Sequence, residues 1–345
     1  MIGMEYRLHQ DPSAWGSLFE SWAALLPESL FPLPFLHPSY QETWWQSLGG
    51  GEWLKAESKL AIITAHQEGR LIGIAPFFIS HKPETGLALH FIGAVEVSDY
   101  LDFVVREKDL EPFLSGLLPF IKNHPELKGL TLDFENLVDS SPSLSLLEKL
   151  AQDQSWNFSK EVLQPSPYIS LPGDFETYLA GLDKKQRHEI RRKLRNASTG
   201  HDTHWYFVED AEMLAEELQA FTEMMRNEND KNNFLKPEME AFIHAAAKRL
   251  FELGVLRLAF LLIDGEKAAA FLSFACCDRL LVYNSSRADK WMPLSPGWVL
   301  LARQIEWAIS AGFKEVDMMR GDEAYKYKFG GVDRFVLRVT LSPKT

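Results

Sequence analysis

The feature that most restricts the fold of this chain is an order of elements that occurs twice. From Leu60 to Phe78 the sequence reads LAIITAHQEGRLIGIAPFF, two β-rich runs on either side of a polar turn at Glu68 and Gly69. This pattern predicts a β-hairpin. Short runs follow at LHFIG from Leu89 and YLDFVV from Tyr100, then a helical segment over about Leu110 to Asn123, then GLTLDF from Gly129. The second half repeats the order without repeating the letters. LRLAFLLIDGEKAAAFLSFAC from Leu256 turns at Asp264 and Gly265, RLLVYNSS begins at Arg279, a helix is predicted from Pro296 to about Ser310, and EVDMM starts at Glu315. Two copies of one α/β unit, with mixed sheets of the α+β kind, account for the length and the pattern. A single large mixed sheet is the rival arrangement.

Between the copies lies a stretch that reads as four helices, near Phe175 to Leu179, Asp183 to Arg195, Asp210 to Asn227 and Pro237 to Leu253. Asp183 followed by Gln186 predicts a capped start for the second helix. Ile190 and Leu194, four apart, give that helix one apolar stripe. The rest of its surface is Lys184, Lys185, Arg187, His188, Arg191, Arg192, Lys193 and Arg195. Pro165 and Pro167 mark a linker. The boundaries that follow are 1–165 for the first domain and 166–345 for the second, which carries a helical insertion over 175–253.

A chain of 345 residues, 46% hydrophobic, is long enough for two cores. Its net charge of −12 argues against a general nucleic-acid binder, since phosphate-backbone affinity needs Lys and Arg over a whole face. DNA is excluded as a partner and RNA disfavoured on this ground. Cys276 and Cys277 are adjacent, and neighbours on one strand point to opposite faces, so a reduced pair in the cytoplasm is expected. The opening MIGMEYRLHQDPSAW does not resemble a signal peptide, and no window of 18 uncharged apolar residues predicts an integral membrane segment.

Phosphate is easiest to place at LSPGWVLLARQIEWAIS. Pro296 is preorganised for a first helical turn, Gly297 removes bulk beside exposed amides, and the strand before them aims the helix start at a sheet end. Ser295, Pro296, Gly297 and Trp298 are therefore candidate donor-binding residues, with a simple helix cap as the plain alternative. After EVDMM comes RGDEAYKYKFGG. Asp317, Asp322, Glu323, Tyr325 and Lys326 gather at one strand end, where the scaffold is rigid and the tip open. Asp322 or Glu323 could take a proton from an attacking amine and Tyr325 could give one to the leaving group. Lys326 could bind phosphate, and a solvated charged loop is the competing reading.

SDYLDFV is the corresponding feature of the first copy. Read as a strand, it puts Tyr100 and Asp102 on one face and Asp99 on the other, facing a groove or an acceptor. Trp44, Trp45 and Trp53 could line a cleft or pack a core. The histidines are scattered with no metal-ligand spacing, so no metal is expected. No GxxxxGK[ST], GxGxxG or GxSxG motif is present.

Five stretches carry a resemblance: SDYLDFV at Ser98, HEIRRKLRN at His188, FLSF with LLVYNSS from Phe271, SPGWVLLARQIEWAISAGF from Ser295, and DMMRGDEAYKYKFG from Asp317. The chain resembles the double-domain, acetyltransferase-like branch of the GNAT superfamily of N-acetyltransferases. This branch includes proteins associated with cellulose biosynthesis and is akin to the peptidoglycan aminoacyltransferases. The resemblance implies tandem GNAT-like acetyltransferase domains. The implied enzyme is an N-acyltransferase that moves an acetyl or longer acyl group from acyl-coenzyme A, bound in the second domain, to a small-molecule acceptor, an amine ahead of a hydroxyl. Direct attack is the implied mechanism, with the backbone near Phe274 or Tyr283 steadying the oxyanion. Arg191 and Arg192 join Lys326 as candidate contacts to the coenzyme. The compact Q/R-x-x-G-x-G/A loop of single-domain members is replaced by LSPGW. An aminoacyl-tRNA-dependent aminoacyltransferase and a non-catalytic ligand-binding protein of the same fold are the alternatives.

Overall fold

Both hairpins form, and each closes through a two-residue turn with positive φ at both positions. The angles are 51° and 77° at Glu68 and Gly69, and 52° and 81° at Asp264 and Gly265. Such turns match the twist of the flanking strands. They sit in different units of the computed structural model, which describes residues 3–50, 58–83, 85–227 and 233–344. Unit 1 comprises Met1–Pro165 and Arg334–Thr345, and unit 2 comprises Ser166–Asp333.

Unit 1 opens with β1 (Glu5–His9), α1 (Ala14–Leu25) and α2 (Pro38–Leu48). Then come β2 (Lys59–Leu60), β3 (Ile62–Gln67), β4 (Arg70–Ala75), β5 (Phe77–Lys82), β6 (Gly86–Phe91) and β7 (Val104–Val105). α3 (Leu110–Asn123), β8 (Thr131–Val138), α4 (Pro142–Asp153) and β9 (Trp156–Pro165) complete the first stretch of chain. Pro76 separates β4 from β5 and cannot donate to a ladder. There the chain leaves the four-stranded sheet β1-β3-β4-β7 for the six-stranded sheet β2-β5-β6-β8-β16-β9. Phe77, Phe91, Phe103 and Phe134 pack ring to ring in the core, with centroids 4.6 to 5.9 Å apart. Trp44 and Trp45 pack on Phe78, and Trp44 is buried. Trp53 lies outside the described residues.

β16 (Phe335–Pro343) belongs to this sheet, between β8 and β9 and antiparallel to both. The expectation of a second domain running to residue 345 therefore misses a strand that returns to unit 1. Val336, Val339 and Leu341 are buried there, and the ladders on both sides satisfy its backbone.

Unit 2 runs β10 (Tyr168–Ser170), α5 (Phe175–Gly181), α6 (Lys184–Ser198), β11 (Thr203–Phe207), α7 (Leu214–Arg226) and α8 (Pro237–Glu252). It continues through β12 (Leu256–Ile263), β13 (Glu266–Cys276), β14 (Arg279–Arg287), α9 (Pro296–Ser310), β15 (Glu315–Asp317) and α10 (Ala324–Lys328). Its single sheet has the order β10-β15-β14-β13-β12-β11. Asp183 caps α6 by accepting from the Gln186 amide at 3.0 Å. Ile190 and Ala197 of α6 join Leu300, Leu301, Ile305 and Ala308 of α9 in one core, with Leu194 packed against it. The interval between the second and third expected helices holds β11, an edge strand paired with β12.

The connectivity of the two units matches. In unit 1 the β3–β4 hairpin leads through β5 to β6, then past the short strand β7 to α3 and β8, which pairs parallel to β6. In unit 2 a hairpin leads to β14, α9 and then β15, parallel to β14. Among the described residues no helix is long and apolar enough to cross a membrane.

Candidate active site

The parallel pair of unit 2 stays together for three residues only. Arg279, Leu280 and Leu281 pair with Glu315, Val316 and Asp317, and there β15 ends. β14 continues to Arg287 with no strand on that side among the described residues. Its other edge keeps pairing with β13, but skips Tyr283: Val282 faces Ser273 and Asn284 faces Leu272. Such a bulge bends the strand and re-aims a side chain. Tyr283 packs against Phe274 at 5.2 Å. The result is a fork at the carboxyl ends of two parallel strands, where α/β folds place ligands.

One jaw of the fork is the turn after β15. Asp317 is fully buried and its Oδ1 accepts from the Met319 amide at 2.9 Å. Met319 and Gly321 have φ of 58° and 115°. The chain keeps that course because Lys326 reaches back from α10. Its Nζ donates to the carbonyls of Met319, Arg320 and Gly321 at 2.9, 2.6 and 3.2 Å and pairs with Glu323 at 3.0 Å. Lys326 is 2% exposed, so its ammonium is spent on the turn, and through the turn it fixes where Asp322 and Glu323 stand. Both carboxylates are exposed and Tyr325 is half-buried. Asp322 makes no hydrogen bond or ion pair among the described residues, whereas Glu323 is held by Lys326.

The start of α9 offers less to an anion than its sequence promised. Pro296 has no N–H, and the amides of Trp298 and Val299 already donate to the Ser295 carbonyl. Ser295 is in the left-handed region at φ 55° and makes no side-chain cap. Gly297 alone of the first turn keeps a helix-start amide for a ligand. Trp298 is half-buried, with the Lys193 ammonium 3.8 Å from its ring centroid, Lys328 at 5.8 Å and the Phe329 ring at 4.9 Å. On α6, Arg191 pairs with Glu176 and Arg192 with Glu189.

The remaining candidates belong to unit 1, and SDYLDFV is not the strand that its alternation predicted. Residues 96–103 are irregular and only Val104–Val105 pairs, with β4. Asp99, Tyr100 and Asp102 are buried in this loop, so the apolar pattern reflects burial of Tyr100, Leu101 and Phe103. Asp102 accepts from Ser141 Oγ at 2.5 Å, Ser143 Oγ at 2.6 Å and the Phe103 amide at 2.7 Å. Ser141 in turn caps α4. Burial pushes Asp102 up to about 6 in spite of these donors. Because the folded value lies above the unfolded one, the ionised carboxylate costs stability as pH rises through it. Asp102→Asn should abolish that cost: the stability of the native protein relative to the variant should fall by about 2–3 kcal/mol between about pH 4 and 7. Urea melts across that range would show parallel curves if Asp102 were already ionised in the fold at about pH 4.

A second set in unit 1 escaped the sequence reading. Asp133 and Glu135 of β8 meet Lys82 of β5, His90 of β6 and Arg338 of β16. Arg338 holds Asp133 through two bonds of 2.7 and 2.8 Å. Burial holds His90 down at about 4, which leaves it neutral near neutrality. The signal was present as two acidic residues two apart in TLDFENLV, on one face of a buried strand.

By sequence, residues 184–327 match the acetyltransferase (GNAT) domain family. None of the curated proteins compared with the chain matches it. Among solved structures, FemX is similar over 96% of this chain and 96% of its own, with 11% identity and a TM-score of 0.66. The C-terminal domain (DUF2156) of a putative lysylphosphatidylglycerol synthetase from Agrobacterium fabrum aligns over 94% of this chain and 92% of its own, with 12% identity and a TM-score of 0.55. L-PGS from Bacillus licheniformis aligns over 89% and 92%, with 13% identity and a TM-score of 0.53. The expectation that RNA is disfavoured as a partner and coenzyme A is the donor is corrected by these likenesses, which are to FemX and to the lysylphosphatidylglycerol synthetases. Net charge misled because it averages over a surface, whereas polyanion binding depends on where the cations stand. The chain has a C-terminal GNAT-like domain and an N-terminal domain of similar fold, an arrangement similar in fold to FemX and to the lysylphosphatidylglycerol synthetase domain.

Proposed function

We propose that this protein is an aminoacyltransferase that takes its acyl group from the ester of an aminoacyl-tRNA and passes it to an amine. The observation that carries the reading is the fork between β14 and β15, closed on one side by a turn that Lys326 locks. Two facts support the RNA ester over a coenzyme thioester. The start of α9 leaves only the Gly297 amide for a pyrophosphate, and the protein resembles FemX and L-PGS over nearly its whole length.

The acceptor amine attacks the ester carbonyl carbon directly. A C–N bond forms, the carbonyl oxygen takes up negative charge, and the backbone of β14 about Tyr283, past its last pair with β15, faces that oxygen. Collapse breaks the C–O bond to the ribose. Asp322 takes the proton lost by the amine and Tyr325 supplies one to the departing ribose oxygen, so one proton in all moves from nitrogen to oxygen. The positions of Asp317 and Lys326 make them positioning residues, since both hold the turn and neither faces solvent.

Incubation with charged tRNA and a panel of amines, followed by mass spectrometry, tests this. The expected product is an amide heavier than its acceptor by one amino-acid residue, and it should not form when the tRNA has been deacylated first. An amide that forms equally from deacylated tRNA, or no amide with any acceptor, would overturn the reading.

A further inference from the structure

α6 is a concentration of positive charge in an acidic chain. Seven of its fifteen residues are Lys or Arg, against 36 in the whole protein, and Glu189 is its one acid. Ion pairs take up Arg191, Arg192 and Lys193, but Lys184, Lys185 and Arg195 are exposed and make no ion pair among the described residues. Next to Lys193 of the same helix lies an aromatic ring of α9 that packs on the core of unit 2 and on Phe329 but is not fully covered by them. Trp298 is half-buried, and the group over its ring at 3.8 Å is the ammonium of Lys193, on a flexible stem. Cations that follow a backbone next to an aromatic face on which a base can stack are the means by which proteins hold single-stranded nucleic acid.

We propose that the outer face of α6 and the ring of Trp298 form the docking surface for the single-stranded 3′ end of an RNA, with phosphates on Lys184, Lys185 and Arg195 and a base against the indole. This rests on the RNA-dependent reading above and adds the place and manner of contact. Lys193 swings from the ring to a phosphate as the base arrives. An anionic membrane is the other polyanion a basic helix could meet, but it requires an apolar face to insert. The apolar residues of α6 are already in the core of unit 2, where Ile190 and Ala197 are each 1% exposed.

The test is fluorescence anisotropy with an RNA hairpin bearing a short single-stranded 3′ overhang and with its blunt counterpart. Lys184→Gln, Lys185→Gln and Arg195→Gln together should weaken binding about 10-fold or more and reduce the slope of log affinity against log salt by about 2. Trp298→Leu should remove the preference for the overhang and leave blunt-hairpin binding in place. Circular dichroism on each variant separates these effects from loss of fold, and the surface triple keeps the test decisive if Trp298→Leu does not fold. If the native protein binds the overhang and the triple variant binds it equally well, the surface is wrong while the RNA-dependent reading stands. If the native protein neither binds the RNA nor discharges charged tRNA, both fall. Loss of binding to phosphatidylglycerol vesicles in the triple variant, with RNA affinity unchanged, would assign the surface to lipid and overturn the proposal.

Discussion

Lys326→Met should lower turnover by about 10²-fold or more and also lower the melting temperature of unit 2. The substitution keeps the stem that fills the space under the turn but removes an ammonium bonded to three backbone carbonyls and one carboxylate. Carbonyls left unsatisfied in a buried place cost about 1–3 kcal/mol each. Met319, in the left-handed region, then keeps its amide bond to Asp317 but loses the anchor on its carbonyl, and the carboxylates beyond it lose their position. A positioning role predicts a fall in kcat larger than the rise in KM for the acceptor, and turnover restored in part when the variant is assayed well below its melting point in glycerol. Unchanged kcat with a large rise in donor KM would instead assign the ammonium to phosphate, against its burial.

The next largest effect is expected at Asp322. Asp322→Asn keeps the size and hydrogen-bonding reach of the side chain but removes the proton acceptor, which should lower kcat by about 10²-fold with little change in either KM. Glu323→Gln should do less to the chemistry, since that carboxylate is tied to Lys326, and more to the stability of the turn. Tyr325→Phe tests donation to the ribose oxygen and should spare substrates with a better leaving group. Steady-state kinetics with donor and acceptor varied independently reads all three. Native turnover in Asp322→Asn would move the base elsewhere.

What the sequence made visible was what local chemistry decides. Pro296 at a first turn and the apolar spacing after it predicted a helix over Pro296 to Ser310, and α9 spans those residues. Two turns with Gly second predicted two hairpins, and both turns hold. The errors came where distant parts of the chain decide. The expected boundaries assign FVLRVTLSP to the second domain, yet its partners in β8 and β9 lie well over 150 residues earlier in the chain. In SDYLDFV, burial of a loop imitated the alternation of a strand, because Asp102 is satisfied by two serines near the start of α4. Lys326 sat in a charged run that looks solvated, and only the three carbonyls folded around its ammonium make it a buried group. Asp133 and Glu135 were visible as letters, but Arg338, which neutralises Asp133, comes from the returning strand. The seven cations of α6 were visible in the sequence, but the acidic whole-chain charge carried more weight than their concentration on one helix.

The measurement that bears most directly on the account is a comparison of donors under single-turnover conditions. The protein, in excess, is given either aminoacyl-tRNA or acetyl-coenzyme A with the same amine acceptor, and loss of the tRNA ester and release of the coenzyme thiol are followed against protein-free controls. The account predicts protein-dependent, acceptor-dependent loss of the ester with amide formed in equal amount, and no thiol release above the control. Acceptor-dependent thiol release without loss of the tRNA ester would contradict it.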